Sequence, residues 1–171
     1  VVIGLGTMGA LGGINKISRS FPRPMGRKVL HQKSSPSSGK NIKYGYTDNF
    51  KNSGETALLL HGSTDGRFSY QLGVNGPEVV RKPNEFVNDL KNYFQIDLKA
   101  RNEPIHLLSC YSKNGSAQEL ANSTNRVVYG YSKNIIRPES FSKIEEASYK
   151  IYSAYLIGRI KPTPFHPLNN V

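Results

Sequence analysis

Apolar residues recur along the middle of the chain with two periods, one typical of strands and one typical of helices. Two short apolar runs, residues 56–60 and residues 105–109, have the length of buried strands. Between them, apolar residues from Pro83 to about Ala100 recur at helical spacing, and the leading proline suits a first helical turn. Residues 115–123 repeat the helical pattern, and residues 126–131 have the pattern of another strand. This alternation predicts an α/β fold with a mainly parallel sheet, flanked by helices on both faces.

Shorter patterns extend this domain on both sides. Residues 42–46 alternate apolar and polar positions, as a half-buried strand does, and residues 68–72 alternate in the same way as a predicted hairpin strand. Near the carboxyl terminus, Pro162 and Pro164 predict the end of any regular element. The predicted folded domain therefore comprises residues 42–171.

Residues 1–41 differ in composition from the rest of the chain, because they are rich in glycine, serine and proline and contain little to bury. The net charge is +11, and no acidic residue precedes Asp48, so this segment is a basic arm or linker. Such an arm suits a polyanionic partner, or it is a solvated spacer. No nucleic-acid-binding motif is recognisable, which makes nucleic acid an unlikely partner. No stretch suits a membrane span, and the start at Val-Val-Ile instead of Met predicts a piece of a longer protein.

Two of the predicted strands end in reactive side chains. Residues 56–60 are followed by His61 and Gly62, and residues 105–109 are followed by Cys110, the only cysteine. Parallel neighbouring strands bring both ends to one edge of the sheet, where ligands bind in open α/β sheets. A thiol beside an imidazole is a nucleophile beside its base. The N–H groups of Gly62 and Cys110 are then the predicted oxyanion hole.

With these two motifs the sequence resembles the caspase-like clan of cysteine peptidases, and most of all the self-cutting protease domains of large bacterial toxins. Ala57 to Gly62 supply the apolar strand that ends in His-Gly, and Ile105 to Cys110 supply the apolar strand that ends in a small residue and Cys. The resemblance covers residues 42–135. It implies a caspase-like cysteine endopeptidase that works through a thioester, with His61 as base or leaving-group acid and Cys110 as nucleophile.

The same resemblance implies a setting for this activity. It predicts a virulence effector, or a self-processing domain, of a larger secreted bacterial toxin that acts in the cytosol of a host or target cell. Its partner is then a protein substrate. Thiol chemistry requires no cofactor, and the basic surplus is compatible with a polyanionic activator such as an inositol phosphate, as the likeness to toxin proteases suggests.

Two acidic residues are candidates for orienting the imidazole. The resemblance points to Asp48, which precedes the strand of His61, whereas Asp65 follows that strand directly. The predicted substrate-binding residues lie beside the two strand ends and are Ser63, Asp65, Arg67, Ser109 and Lys133. The cationic pair Arg67 and Lys133 favours an acidic or polar residue beside the cut.

The remaining histidines and the lone cysteine bear on other sites and functions. His106, four residues before Cys110 on a strand, is interpreted as a core-edge histidine. A metal centre is not predicted, because one cysteine and scattered histidines do not supply three or four ligands. Two alternatives stay open: a thiol-dependent deamidase or acyltransferase toxin that modifies a host protein, and a non-enzymatic basic domain that binds nucleic acid or serves as an adaptor.

Overall fold

The structure, a computed structural model, describes residues 27–34, 41–73, 75–134 and 161–168. Within these residues the strands are β1 (Arg27–Ser34), β2 (Asn41–Phe50), β3 (Glu55–Gly62), β4 (Phe68–Gln71), β5 (Glu78–Arg81), β6 (Ile105–Ser109), β7 (Val128–Gly130) and β8 (Thr163–Phe165). The helices are α1 (Pro83–Phe94), between β5 and β6, and α2 (Ala117–Thr124), between β6 and β7.

The strands form one mixed sheet with the order β1-β2-β3-β6-β7-β8. Only β3–β6 and β6–β7 are parallel pairs, and the other neighbours along this path are antiparallel. Strand β3 has two sets of partners along its length. Thr56–Leu60 pair with β6, whereas His61 and Gly62 pair with β4 of the β4–β5 hairpin. The hairpin thus branches from the sheet at the carboxyl end of β3.

The predicted mainly parallel sheet, with helices on both faces in a caspase-like arrangement, is wrong for the described residues. Strand–helix alternation located β3, β6 and β7 correctly, but β1, β2 and β8 flank this parallel centre as antiparallel strands. Both crossovers, from β3 to β6 and from β6 to β7, step in the same direction along the sheet. Right-handed connections that step in one direction leave their helices on one face, and α1 and α2 pack against each other.

Two element boundaries differ from the prediction for local reasons. Helix α1 ends at Phe94 instead of near residue 100, because Gln95 adopts a left-handed conformation with φ of 55°. Pro162 and Pro164 were predicted to end any regular element. Pro164 instead lies within strand β8 (Thr163–Phe165), where it pairs with Tyr129. Proline is tolerated in a strand whose missing N–H faces away from the neighbouring strand.

Residues 27–34 fall inside the predicted arm and form β1, which pairs with β2. The division of the chain into residues 1–41 and 42–171 stays a prediction.

The main core lies between the sheet and the two helices. Strands β3 and β6 contribute alternate residues that are almost fully buried, and the helices cover them with aromatic and aliphatic side chains. Its central members are Leu58, Leu60, Ile105, Leu107, Phe68, Phe86, Leu90, Leu120 and Ala121. Burial of these side chains fixes the register of β3 against β6, since a slip of one residue moves every side chain to the other face.

A buried arginine joins the amino-terminal ends of the parallel strands. Arg126, just before β7, is 2% exposed. Its guanidinium donates to the carbonyl oxygens of Glu103 (2.7 Å) and Leu98 (3.0 Å) and to the Thr56 hydroxyl (2.7 Å). These acceptors lie on three different segments, so one side chain cross-links the edge of the sheet opposite to His61.

Candidate functional site

The carboxyl ends of β3 and β6 bring two predicted catalytic residues to one edge of the sheet. In the parallel ladder Leu60 lies opposite Ser109. His61 and Cys110 each follow by one residue, and both side chains are partly exposed. Neighbouring strands lie about 4.8 Å apart, and residues of the same parity project on the same side. The register therefore makes His61 and Cys110 neighbours at the carboxyl edge.

Gly62 allows the two strand ends to approach closely. A Cβ atom at this position would lie 2.2 Å from the Cys110 carbonyl oxygen and 2.2 Å from Ser109 Oγ. Ser109 is buried, and its hydroxyl donates to that same carbonyl at 3.3 Å. The Cys110 atom that faces Gly62 is thus the carbonyl oxygen, a hydrogen-bond acceptor, and not the N–H donor. The oxyanion hole formed by the N–H groups of Gly62 and Cys110 stays a prediction.

The backbone turns sharply directly after the thiol. Tyr111 has a left-handed conformation with φ of 57°, which is uncommon for a non-glycine residue. The segment Ser112–Ser116 follows and leads into α2, and it is a kinked turn, because Asn114 and Gly115 within it have non-helical backbone angles. Non-glycine residues held in the left-handed region are enriched at functional sites.

The segment after Cys110 runs beside the segment after β7. The Tyr111 N–H donates to the Asn134 carbonyl (3.0 Å), and the Lys113 N–H donates to the Ser132 carbonyl (2.9 Å). Lys133, a predicted substrate-binding residue, lies between these two acceptors with an exposed side chain. The structure therefore brings Lys133 to the rim beside the thiol.

Asp48 is not brought together with His61. It lies on β2 next to Thr47, which pairs with Ala57 near the amino end of β3. Four to five residues of extended strand, roughly 15 Å, separate that level from His61. The Asp48 carboxylate is buried and forms an ion pair with Arg101 (3.3 Å). Its position fits a structural carboxylate at the edge opposite to the thiol.

The other candidate acid, Asp65, belongs to the turn between β3 and β4. Its carboxylate accepts a hydrogen bond from the Ser63 hydroxyl and lies 3.3 Å from Arg67 Nε. The Ser63 hydrogen bond, with help from Arg67, holds the pKa of Asp65 below its ordinary value. Three predicted substrate-binding residues thus bond to one another in a solvent-exposed turn next to His61.

The described residues hold no group of three or more His, Cys, Asp or Glu side chains that suits a metal ion. They also contain no helix with the length and apolar character needed to cross a membrane.

His106 has partners that the sequence did not indicate. Its Nδ1 lies 2.7 Å from Tyr131 Oη and its Nε2 lies 3.0 Å from Glu55 Oε2. The ring also stacks on Tyr129, with 5.1 Å between centroids and 12° between planes. The interpretation as a core-edge histidine is confirmed, because the side chain is 12% exposed and both ring nitrogens are satisfied. The three partners are 51, 25 and 23 residues distant in sequence, so no local pattern joins them to His106.

This histidine makes stability depend on pH. Burial lowers the pKa of His106 below the ordinary 6.5, and the Glu55 carboxylate offsets this effect only in part. The unfolded chain therefore binds a proton at higher pH than the native chain, and the free energy of unfolding falls as pH drops below about 6.5. Thermal unfolding followed by circular dichroism is expected to show a larger decrease in Tm between pH 7 and pH 5 for wild type than for His106→Gln. Equal decreases in Tm for the two proteins would show that His106 does not cause the pH dependence of stability.

One comparison with known proteins gives a match. Residues 76–153 match the family model of the secreted effector protein SteB. The matched segment contains Cys110 and Lys133 but not His61, and it covers 78 of the 171 residues, slightly less than half. Comparisons with curated proteins and with solved structures give no significant match.

The SteB match corrects the expected relationship to caspase-like peptidases, which is wrong. No caspase-like family model matches the chain. The motifs that carried the resemblance are two apolar strands, each with a reactive residue at its end. Any parallel strand pair with polar residues beyond its ends produces this pattern, so it does not specify a family. The match supports the expected effector role and secretion, and it carries no support for peptidase activity or self-cleavage.

Proposed function

We propose that this chain is the effector part of a secreted bacterial protein and that it cleaves a protein of the host cell, with Cys110 as nucleophile and His61 as its proton-transfer partner. The observation that supports this most is the parallel register of Leu60 opposite Ser109, which makes the two side chains neighbours. The similarity of residues 76–153 to a secreted effector family supports the effector part of the proposal.

The proposed reaction has two steps. The thiol proton of Cys110 passes to His61, the sulfur attacks the carbonyl carbon of an amide and a C–S bond forms, and the C–N bond breaks as His61 gives that proton to the leaving amine. Water then attacks the thioester while His61 accepts its proton, which releases the acid and restores the thiol. No redox partner or metal enters this balance. Host cytosol is the proposed place of action. An inositol phosphate activator, which was expected from the basic charge together with the likeness to toxin proteases, stays a prediction.

Peptide-bond cleavage is proposed ahead of deamidation because the edge beyond β3 and β6 is bordered by two loops, the Ser63–Arg67 turn and the Ser112–Ser116 turn. In the proposal, an extended main chain lies between these two loops. The deamidase and acyltransferase reactions use the same thioester and differ only in the amide that is attacked or in the acceptor that replaces water.

The test compares wild type with Cys110→Ala in a lysate of host cells. Both purified full-length chains, shown by circular dichroism to be folded, are incubated with equal aliquots, and the proteins are analysed by mass spectrometry. New amino termini that appear only with wild type are the expected result. If both samples show the same amino termini, the same masses of glutamine-containing peptides and the same acyl adducts, thiol chemistry would be overturned. A mass increase of about one dalton on intact host chains would replace cleavage by deamidation.

A further inference from the structure

Three backbone segments that each carry a lysine, from distant parts of the chain, meet beside the turn that follows the thiol. Lys113 lies in that turn, Lys133 follows β7, and Lys161 precedes β8. The Lys113 ammonium donates to the Lys161 carbonyl oxygen at 2.8 Å, and the Asn114 amide donates to the Lys133 carbonyl oxygen at 3.1 Å. These two bonds hold both backbones against the same turn. We call Lys113, Lys133 and Lys161 the lysine cluster.

The central member of this cluster is held in place along its whole length. The Lys113 N–H donates to the Ser132 carbonyl. Its Cγ lies 3.3 Å from where a Cβ on Gly130 would be, so the stem covers β7 and the side chain is only partly exposed. A lysine whose stem is already packed loses little side-chain freedom when its ammonium binds a ligand.

The positive charge of the lysine cluster is not neutralised within the described residues. None of the three lysines forms a salt bridge to a described carboxylate, and the Lys113 ammonium meets a neutral carbonyl. By contrast, such bridges to aspartate or glutamate are formed by Arg67, Arg81, Lys91 and Arg101. Unneutralised positive charge on this part of the surface attracts anions.

We propose that the lysine cluster binds an acidic segment of the protein substrate and so sets which bonds are presented to Cys110. This inference rests on the proposed function. Lys113 is three residues from Cys110, at most about 10 Å along the chain. Carboxylates of the substrate are therefore expected within about three residues of the cleaved bond. Lysines on three separate segments suit carboxylates spaced along an extended chain, because each ammonium acts as a single point charge.

The test measures binding without turnover. The full chain with Cys110→Ala is titrated into a fluorescein-labelled peptide of alternating Glu and Ser, and anisotropy is recorded at several salt concentrations. Exchange of all three cluster lysines for glutamine is expected to weaken binding at least about tenfold and to reduce its salt dependence. The single variant Lys133→Gln is compared with Lys99→Gln, because each removes one charge from an exposed lysine and Lys99 lies in the turn before β6, at the opposite edge of the sheet. The same peptide with Gln in place of Glu is expected not to bind.

Three outcomes would overturn the inference. Equal binding by the triple variant and the parent is one. An effect of Lys99→Gln as large as that of Lys133→Gln, which would indicate attraction by net charge alone, is the second. The third is tight, cluster-dependent binding of inositol hexakisphosphate with no binding of the acidic peptide. If the triple variant fails to fold, Lys133→Gln alone, on an exposed side chain, replaces it. If the lysate assay shows no thiol chemistry but the acidic peptide still binds through the lysine cluster, the proposed function would be overturned and the binding site would stand.

Discussion

Cys110→Ala is expected to abolish turnover of the host substrate, and His61→Ala to lower kcat by roughly 10²- to 10⁴-fold. The physical reason is that alanine removes the only atom that forms the covalent intermediate, whereas loss of the imidazole leaves a thiol without a positioned proton carrier. The measurement is kcat/KM on the substrate identified in lysate. Since the two side chains act as a unit, the double variant is expected to be no slower than Cys110→Ala alone.

A histidine on the neighbouring strand gives the control. His106 lies on β6 four residues before Cys110 and is satisfied by Glu55 and Tyr131. His106→Gln, assayed well above pH 6.5, is therefore expected to retain activity within a few fold. Full activity of His61→Ala, or of Cys110→Ala, would refute the proposed pair.

Arg126→Met is expected to reduce the free energy of unfolding by about 3 to 5 kcal/mol. Methionine has a similar length but donates no hydrogen bond, so the Thr56 hydroxyl and the carbonyls of Leu98 and Glu103 lose a donor inside the protein. Burial lowers the pKa of Arg126 to about 10, which leaves the guanidinium charged at neutral pH. Urea denaturation at constant pH measures the change.

The exposed Arg67 provides the comparison for this variant. Its side chain is 46% exposed, and its salt bridge is to Asp65, which is 62% exposed. Arg67→Met is expected to change the free energy of unfolding by less than about 1 kcal/mol. A loss for Arg126→Met no greater than that for Arg67→Met would show that the buried guanidinium adds nothing to stability.

Hydrophobic periodicity was sufficient to locate the centre of this fold. The apolar runs at residues 56–60 and 105–109 lie in β3 and β6, and the residues with helical spacing after Pro83 form α1. The pattern is strong there because those residues are buried between two layers. Strand β8 was missed, since it has three residues and contains a proline. Strand direction was also misjudged, because alternation of apolar residues is the same in parallel and antiparallel strands.

The candidate site was predictable only where it follows from strand ends. His61 and Cys110 could be placed together because both terminate apolar runs of equal length. Asp48 could not be placed correctly from its distance in sequence, since β2 runs antiparallel to β3 and carries it toward the opposite edge. The lysine cluster could not be found at all. Its members are 20 and 28 residues apart, and only the tertiary contacts of the turn after Cys110 bring them together.

The change of pairing partners along β3 has a mechanical consequence for the proposed pair. Cys110 follows a strand that is paired on both sides, whereas His61 pairs with Ser69 of the β4–β5 hairpin. Phe68 and Tyr70 of that hairpin are fully buried in the main core, where both rings contact Phe86 of α1. The packing of the hairpin against α1 therefore fixes the position of the imidazole, and a substitution that loosens Phe68 or Tyr70 is expected to displace His61 relative to Cys110.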